Sequence, residues 1–213
     1  MEFPKTLIKR NGYIERIKPF MRKNIAKVLT GQRRVGKSFL LYQLMDQLLV
    51  EEPDANIIYI NFEDFAFSHI QTAEDMHAYI MSKFRKEKYN YIFVDEIQEI
   101  VNFERVIRSL LLNENNDIYI TGSNAKMLSG ELATYLSGRY IEFSVYSLSY
   151  LEFLAFHKLE NNNESLYLYS RYGGLPYLIN LPLKDETVNE YLKSVYSTIV
   201  FRDVVSRYNL RNS

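Results

Sequence analysis

The stretch Gly31-Gln32-Arg33-Arg34-Val35-Gly36-Lys37-Ser38 matches the pattern G-x-x-x-x-G-K-[ST], in which a glycine-rich loop cradles phosphate groups. The two glycines let the backbone turn its N–H groups toward a phosphate, and the positive end of the following helix adds to them. Lys37 is expected to contact the β- and γ-phosphates, and the Ser38 hydroxyl to ligate Mg²⁺. The alternative is a glycine turn with a surface lysine. Phosphate binding is favoured because an apolar strand precedes the loop and an amphipathic helix follows it.

Strand patterns and helix patterns alternate along most of the chain. This alternation predicts an α/β fold, with a five-stranded, mainly parallel sheet and right-handed crossover helices on its faces. After Leu148 the strand patterns stop, so we expect a P-loop core at 1–147 and a helical unit at 148–213. The predicted strands are 25–29, 56–62, 91–94, 117–120 and 140–145, and the predicted helices are 38–51, 72–86, 102–112, 126–136 and 187–210.

A pair of carboxylates, Asp95 and Glu96, directly follows the apolar run 91–94. Ligands of parallel sheets bind beyond the carboxyl ends of the strands, so we expect this pair to lie near the phosphate loop. Asp95 is then placed to hold Mg²⁺, and Glu96 to orient and polarise an attacking water. An ordinary exit from a strand would give the same pattern. The phosphate loop upstream favours the functional interpretation, which is hydrolysis of a nucleotide.

Five segments together resemble the AAA+ superfamily of ATPases, and within it an archaeal and bacterial subgroup that carries a C-terminal domain of uncertain function. The resemblance covers nearly the whole chain. It implies an ATPase that uses ATP and Mg²⁺, a lid formed by the helical unit, and a conformational switch in an attached domain or partner. GTP is disfavoured because the chain contains no N-K-x-D signature. The segments are GQRRVGKS (31–38), YIFVDE (91–96), IYITGSN (118–124), LSGRYIEF (136–143) and RYGGLP (171–176).

The same resemblance assigns roles to polar residues near the strand ends. It implies that Asn61 can hold the catalytic carboxylate away from water, the alternative being an asparagine that caps a turn. Ser123 and Asn124 resemble the sensor of the γ-phosphate, with Thr121 as a substitute and turn chemistry as the alternative. Arg139 resembles an arginine finger that reaches the γ-phosphate of a neighbouring subunit. Such a finger could act only if the chain forms a homo-oligomer. The alternative for Arg139 is a salt-bridged surface residue.

The helical unit contains one further resemblance, at Gly173-Gly174-Leu175-Pro176. In related ATPases this element brings the lid to the nucleotide, whereas the alternative is a helix start with proline in its first turn. Arg171 is offset from the usual position of a lid sensor. The candidate nucleotide-binding residues are therefore Gly31, Gln32, Arg33, Arg34, Val35, Gly36, Lys37, Ser38, Phe39, Ser123 and Pro176, with Ser38 and Asp95 as metal ligands.

Composition limits the classes of protein that this chain can represent. Hydrophobic residues make up 47% of the 213 residues and charged residues 24%, which is typical of a globular protein. The formal net charge of +0 excludes a global basic field for nucleic acid, and the absence of cysteine excludes disulfides and thiolate zinc sites. The N-terminus does not resemble a signal peptide, and no apolar run approaches the ~18 residues of a membrane span. We therefore expect a soluble, cytoplasmic protein with no membrane partner.

Two other functions use the same phosphate loop. A nucleotide-controlled binding scaffold, read by a protein or DNA partner, would not need Glu96, and a small-molecule phosphotransferase would need an acceptor pocket that the sequence does not indicate. Arginines near the end of the predicted helix 187–210 fit either a connector to a nucleic-acid-binding module or favourable pairing with the helix dipole. Because polypeptides of the resembling subgroup continue well beyond the point corresponding to Ser213, we expect a truncated chain with a further C-terminal domain in cis.

Overall fold

A computed structural model of the protein describes residues 7–123, 136 and 138–199. The described residues divide into two compact units, the first within 7–32 and 37–145 and the second within 33–36 and 146–199. The predicted helix at 126–136 lies outside the described residues except for Leu136, as does the last part of the predicted helix 187–210. In the part of the chain that is described, no helix is both long enough and apolar enough to cross a membrane.

A five-stranded sheet forms the centre of the first unit, and every strand pair in it is parallel. The strand order is β2-β3-β4-β1-β5, which confirms the predicted α/β fold. Two strands begin earlier than the apolar runs indicated, because buried asparagines open them at Asn90 and Asn116. The strands are β1 Ala26–Gly31, β2 Asn56–Asn61, β3 Asn90–Asp95, β4 Asn116–Ser123 and β5 Tyr140–Ser144.

Helices flank this sheet and make up the second unit. In the first unit α2 follows the phosphate loop directly, and its last residue is the one that helical spacing predicted. Short 3₁₀ helices occur at Lys18–Phe20, Phe65–Phe67, Ile97–Glu99 and Pro176–Asn180. The helices are α1 Asn11–Ile17, α2 Lys37–Glu51, α3 Ala73–Ser82, α4 Phe103–Leu110, α5 Tyr150–His157, α6 Asn163–Tyr172 and α7 Asp185–Ile199.

The two faces of the sheet are covered by different helices. Successive side chains of a strand point to opposite faces, so alternate residues of each strand share a face. One face is an apolar core in which Val28, Ile92 and Ile120 pack with side chains of α3 and α4. On the other face Tyr59 donates a hydrogen bond to Tyr42 of α2 at 3.1 Å. The phosphate-loop helix therefore lies on the second face, where α2 packs against β1, β3 and β4.

Helix α3 begins where its capping residues dictate. Thr72 accepts a hydrogen bond from the backbone N–H of Asp75, and the Asp75 side chain accepts one from the backbone of Thr72. This capping box confirms Thr72 as the predicted N-cap. The helix ends at Ser82 rather than at 86, and the carbonyl of Lys83 beyond it accepts a hydrogen bond from Asn56. The predicted helix was therefore too long by about one turn.

A buried ion pair lies near the amino ends of the strands, on the face that α2 covers. The side chains of Lys27 and Asp117 are both fully buried and form a salt bridge. Asp117 also accepts hydrogen bonds from the Tyr119 hydroxyl and the backbone N–H of Arg22, both at 2.8 Å. Burial lowers the pKa of Lys27, and the Asp117 carboxylate acts in the opposite direction. We refer to Lys27, Asp117, Tyr119 and the Arg22 N–H as the amino-edge cluster.

The second unit contains a close backbone approach at Gly174. Its carbonyl accepts a hydrogen bond from the backbone N–H of Leu148 at 2.7 Å, and a Cβ on Gly174 would overlap the Leu148 backbone. Glycine is therefore required here for packing. Arg171 is paired with Asp185 through two guanidinium nitrogens, and it also donates to the Tyr167 hydroxyl at 3.0 Å. These contacts occupy Arg171 within the helical unit.

Candidate nucleotide-binding site

The carboxyl ends of the central strands bring the phosphate loop and the acidic pair to one edge of the sheet. Strand β4 lies between β1 and β3, and Gly31 at the end of β1 is in register with Ser123. Asp95 at the end of β3 is in register with Asn61 at the end of β2. Parallel strands end at the same edge, so residues about 60 positions apart in sequence meet there. We call this the carboxyl edge.

Lys37 opens α2 and is almost fully buried at this edge, with 4% of its side chain exposed. Its ammonium donates to the backbone carbonyls of Gly31 and Gln32 at 3.1 and 3.2 Å. It lies 3.8 Å from the nearer carboxylate oxygen of Glu96, Oε1. These are long contacts for a buried ammonium, and a phosphate oxygen would offer a stronger charge-assisted partner.

Asp95 is the most deeply buried acid of the site, with 1% exposure. Burial raises the pKa of its carboxyl above the ordinary value, and the negative charge of Glu96 adds to that shift. Hydrogen bonds from the hydroxyls of Ser38 and Thr121, and the charge of Lys37, act in the opposite direction. Two carboxylates facing one ammonium leave this group with a formal charge of −1, which favours a cation ligand.

Glu96 adopts an unusual backbone conformation, with φ 54° and ψ 48° in the left-handed region. It serves as the N-cap of the 3₁₀ helix Ile97–Glu99, and its backbone N–H donates to the Thr121 hydroxyl at 3.0 Å. One carboxylate oxygen, Oε2, accepts a hydrogen bond from the side-chain amide of Gln98, while Oε1 faces Lys37. Both oxygens are thus held, at 7% exposure of the residue.

The oxygen donors of Ser38 and Asp95 suit a magnesium ion. They are close enough to hydrogen-bond to each other, so both face the same point. Mg²⁺ prefers hard oxygen ligands, and proteins commonly bind it through one or two side chains together with substrate phosphates. The described residues contain no group of three or more His, Cys, Asp or Glu that could cage a metal. The hydroxyl and carboxylate oxygens of Ser38 and Asp95 fit a magnesium ion whose remaining ligands would be water and substrate phosphates.

The phosphate loop has the backbone conformation that its glycine pattern predicted. Gly36 has φ 94°, which only glycine adopts readily, and Arg34 has φ 68°. Val35 is buried with 1% exposure, whereas Gln32 and Arg34 are exposed and Arg33 is half-buried. Phe39, the candidate nucleotide-binding residue that follows Ser38, is 49% exposed. Its ring meets the Tyr42 ring edge-to-face, with the ring centroids 6.1 Å apart.

Pro176 lies beside the phosphate loop within the second unit. A Cβ at Gly36 would stand 3.8 Å from the proline Cγ, which is ordinary van der Waals contact. Pro176 also occupies the first turn of the 3₁₀ helix Pro176–Asn180. Pro176 is therefore a helix start, and its contact with a nucleotide stays a prediction.

The candidate sensors at the strand ends are placed differently from one another. The side-chain oxygen of Asn61 accepts a hydrogen bond from the backbone N–H of Glu63 at 2.9 Å. Asn61 therefore stabilises a turn with the backbone two residues later. Asn61 and Glu96 share no hydrogen bond in the part of the chain that is described. Ser123 is the last residue of β4 and reaches the carboxyl edge, and Asn124 lies outside the described residues.

Arg139 lies at the opposite edge of the sheet. It is exposed, and its carbonyl accepts a hydrogen bond from the N–H of Ala26, the first residue of β1. Strand β1 extends from there to Gly31, a length of about 16 Å at 3.3 Å per residue. Arg139 is therefore far from the phosphate loop of its own chain, and the structure does not bring it together with the other candidates.

Two residues at the site have contacts that sequence reasoning did not predict. Thr121, expected only as a substitute sensor, is fully buried and bridges Asp95 and the Glu96 backbone. Gln98 was not singled out, although an amide side chain two residues after the acidic pair, in a segment with Ile97 and Ile100, is a visible signal. The contact of Gln98 with Glu96 depends on the left-handed turn at Glu96, which no residue type in the sequence indicates.

Comparisons with known proteins agree with this geometry. A protein-family model described as an AAA domain matches residues 23–154. An uncharacterised protein of Haemophilus influenzae is 36% identical over 216 residues, covering 98% of this chain and 53% of the relative. Protein MJ1544 of Methanocaldococcus jannaschii is 31% identical over 204 residues, covering 89% of this chain and 44% of the relative. The chain thus spans about half the length of these two relatives.

Solved structures share the fold at low sequence identity. The Saccharomyces cerevisiae Hsp104–ADP complex has a TM-score of 0.59 at 14% identity, over 82% of this chain and 30% of that one. Domain III of the Thermotoga maritima replication initiation protein DnaA has a TM-score of 0.56 at 14% identity, over 82% of each chain. Because the family model matches more than half of its length, the chain belongs to the AAA domain family.

Proposed function

We propose that this chain binds ATP with Mg²⁺ at the carboxyl edge and hydrolyses it. The observation that carries the proposal is the meeting of the buried Lys37, Asp95 and Glu96 with the half-buried Ser38 in one group. The ammonium of Lys37 would exchange its backbone carbonyls for the β- and γ-phosphates. Ser38 and Asp95 would hold Mg²⁺, which neutralises developing phosphate charge when it is bound.

Glu96 is the proposed residue that orients the attacking water. In the ligand-free arrangement its Oε1 faces Lys37 at 3.8 Å. Once Lys37 turns to the phosphates, Oε1 would be available to accept a hydrogen bond from water, while Oε2 stays bound to Gln98. In the scheme proposed here, hydrolysis then drives a conformational switch in an attached domain or partner, and the helical unit serves as the lid.

The decisive experiment measures phosphate release from ATP and Mg²⁺ by the wild type and by Glu96→Gln. The variant retains the shape and hydrogen-bonding reach of the side chain but cannot act as a base. We expect turnover to fall by about 10²- to 10⁴-fold. Binding of a fluorescent ATP analogue should persist, because the phosphate contacts are unchanged. Wild-type turnover in Glu96→Gln would refute the role of Glu96.

A nucleotide-controlled scaffold for a protein or DNA partner is the second candidate. It is favoured by one observation, namely that both Glu96 oxygens are already engaged in the ligand-free site. Such a protein would bind the ATP analogue tightly and release no phosphate above the level of Glu96→Gln. A salt-dependent titration with duplex DNA would then separate a DNA partner from a protein partner, because phosphate contacts weaken steeply with salt.

Arg139 fits an arginine finger only if it acts on a neighbouring subunit, because about 16 Å of β1 separates its edge from the carboxyl edge. Turnover per chain should then rise with protein concentration as a homo-oligomer forms. Arg139→Ala should lower the turnover of the assembled protein by 10³-fold or more, on the order of what such fingers contribute. Turnover per chain that is independent of concentration, with full activity in Arg139→Ala, would assign hydrolysis to each chain alone.

A further inference from the structure

Gln98 is a buried polar residue that ATP binding and hydrolysis, as proposed above, do not yet explain. Its residue exposure is 7%, and it lies in the 3₁₀ helix Ile97–Glu99 immediately after the acidic pair. Its side-chain Nε2 donates a hydrogen bond to Oε2 of Glu96. A buried glutamine bound to a buried carboxylate is a strong, charge-assisted contact in a low-dielectric site.

The backbone around Gln98 is built to make this contact. Glu96 turns into the left-handed region, and the tight 3₁₀ turn that follows brings a side chain two residues later back toward it. Ile97 and Ile100 flank Gln98 and are buried at 0% and 3% exposure, so they anchor the turn in the apolar core. The left-handed conformation is unfavourable for a residue with a Cβ, and the packing of this turn has to offset that cost.

We propose that Gln98 is a positioning residue, which holds the Glu96 carboxylate in the orientation that it needs to orient the attacking water. This inference rests on the proposed ATPase function. An amide N–H can donate to a carboxylate without taking a proton from it, so Gln98 orients Glu96 and leaves its charge intact. It holds Oε2 and leaves Oε1, the oxygen that faces Lys37, as the one for water. Asn61, the residue expected to restrain this carboxylate, is engaged with the Glu63 backbone instead.

The test replaces the amide with an apolar group of similar volume, in Gln98→Met. We expect kcat for ATP to fall by about 10- to 100-fold, the range corresponding to one hydrogen bond to a charged group. KM and the affinity for a fluorescent ATP analogue should change by less than about twofold, because Gln98 contacts Glu96 and not the phosphates. Gln98→Asn, one methylene shorter, should lose the same contact and provides a second variant if the first does not fold.

A matched control separates positioning from general destabilisation. Gln43 is also buried, at 5% exposure, and its side chain binds the Ile8 carbonyl at 2.7 Å and the Arg10 N–H at 3.2 Å. Gln43→Met should lower the midpoint of thermal unfolding and leave kcat within about twofold of wild type. A fall in kcat of the same size in Gln43→Met and Gln98→Met would overturn the positioning role.

A double variant ties the effect to Glu96. In single-turnover measurements, Gln98→Met added to Glu96→Gln should cause no further loss, because residues that act through one another are non-additive. A further loss equal to that in the wild-type background would overturn the proposal, as would unchanged kcat in Gln98→Met while Glu96→Gln is inactive. Full turnover in Glu96→Gln would instead refute the proposed function itself, and the role of Gln98 with it.

Discussion

The two edges of the sheet each bury a lysine against carboxylates, yet they hold these charges in different ways. At the amino edge, Lys27 and Asp117 form a direct ion pair with no exposure of either side chain. At the carboxyl edge, Lys37 stands 3.8 Å from Glu96 and divides its hydrogen bonds between two backbone carbonyls. An ammonium and a carboxylate are therefore in direct contact at the amino ends of the strands, whereas at the carboxyl ends they are 3.8 Å apart.

The difference fits a structural cluster at the amino edge and the proposed nucleotide site at the carboxyl edge. Asp117 accepts hydrogen bonds from Lys27, Tyr119 and the Arg22 backbone, so an ammonium and two further donors within the protein offset its charge. Asp95 is equally buried, and burial raises the pKa of its carboxyl, but its side-chain hydrogen bonds come from the hydroxyls of Ser38 and Thr121 and not from an ammonium. A charge that lacks full compensation binds a cation favourably, whereas a compensated one gains little.

The largest expected effect comes from exchanging the two lysines for methionine, one at a time. Lys27→Met leaves Asp117 charged and without its cation, which should cost about 3–5 kcal/mol of unfolding free energy. Lys37→Met should cost less unfolding free energy than Lys27→Met, because the nearest carboxylate oxygen lies 3.8 Å from its ammonium, and it should remove binding of the ATP analogue. Urea unfolding and an analogue titration measure both quantities for each variant.

The distinction between the two edges would be lost if the two lysine variants gave the opposite order of stabilities. If Lys37→Met were the more destabilising variant, the carboxyl edge would be a structural cluster. The double variant Lys27→Met/Asp117→Leu is a control, since removing both charges should recover most of the stability that Lys27→Met loses. It should not alter the affinity for the analogue.

A smaller pair of effects is expected from two hydroxyls on β4, one at each edge. Tyr119→Phe removes one of three donors to Asp117 and should cost about 1–2 kcal/mol without altering turnover. Thr121→Val removes the donor to Asp95 and the acceptor for the Glu96 N–H, and should cost about 1–3 kcal/mol. Only Thr121→Val should also lower kcat for ATP, which phosphate release and urea unfolding together would establish.

An effect of Tyr119→Phe on kcat would mean that the two clusters communicate through β4. Thr121→Ser is the matched control for the valine variant. It retains the hydroxyl, so turnover should stay near that of the wild type while the lost methyl group costs a small amount of stability.

Residues near each other in sequence predicted most of the fold. Alternating strand and helix patterns gave the five strands, and the glycine loop with the acidic pair identified which strand ends form the site. Thr72 was recognisable as a cap because its partner, Asp75, is three positions away. Such features depend on local spacing, which a single sequence contains.

Features that depend on distant partners were not predictable in the same way. Lys27 is 90 residues from Asp117, and an isolated lysine in an apolar strand gives no sign of the acid that compensates it. The assignment of 33–36 to the helical unit, and the left-handed turn at Glu96, arise from packing that the chain acquires only when folded. The roles of Asn61, Ser123, Asn124 and Arg139 remain predictions from family resemblance.

The side chains of strand β4 restrict which parts of the protein could move when a nucleotide binds. Asp117 and Thr121 are four residues apart on one face, about 13 Å along the strand, and each is locked to side chains of other elements. Sliding β4 by one residue would turn both side chains to the wrong face and break two ladders of hydrogen bonds. Slippage of β4 is therefore unfavourable, and under the proposed ATPase function we expect any movement in response to the γ-phosphate to occur beyond the strand ends, beginning with the turn at Glu96.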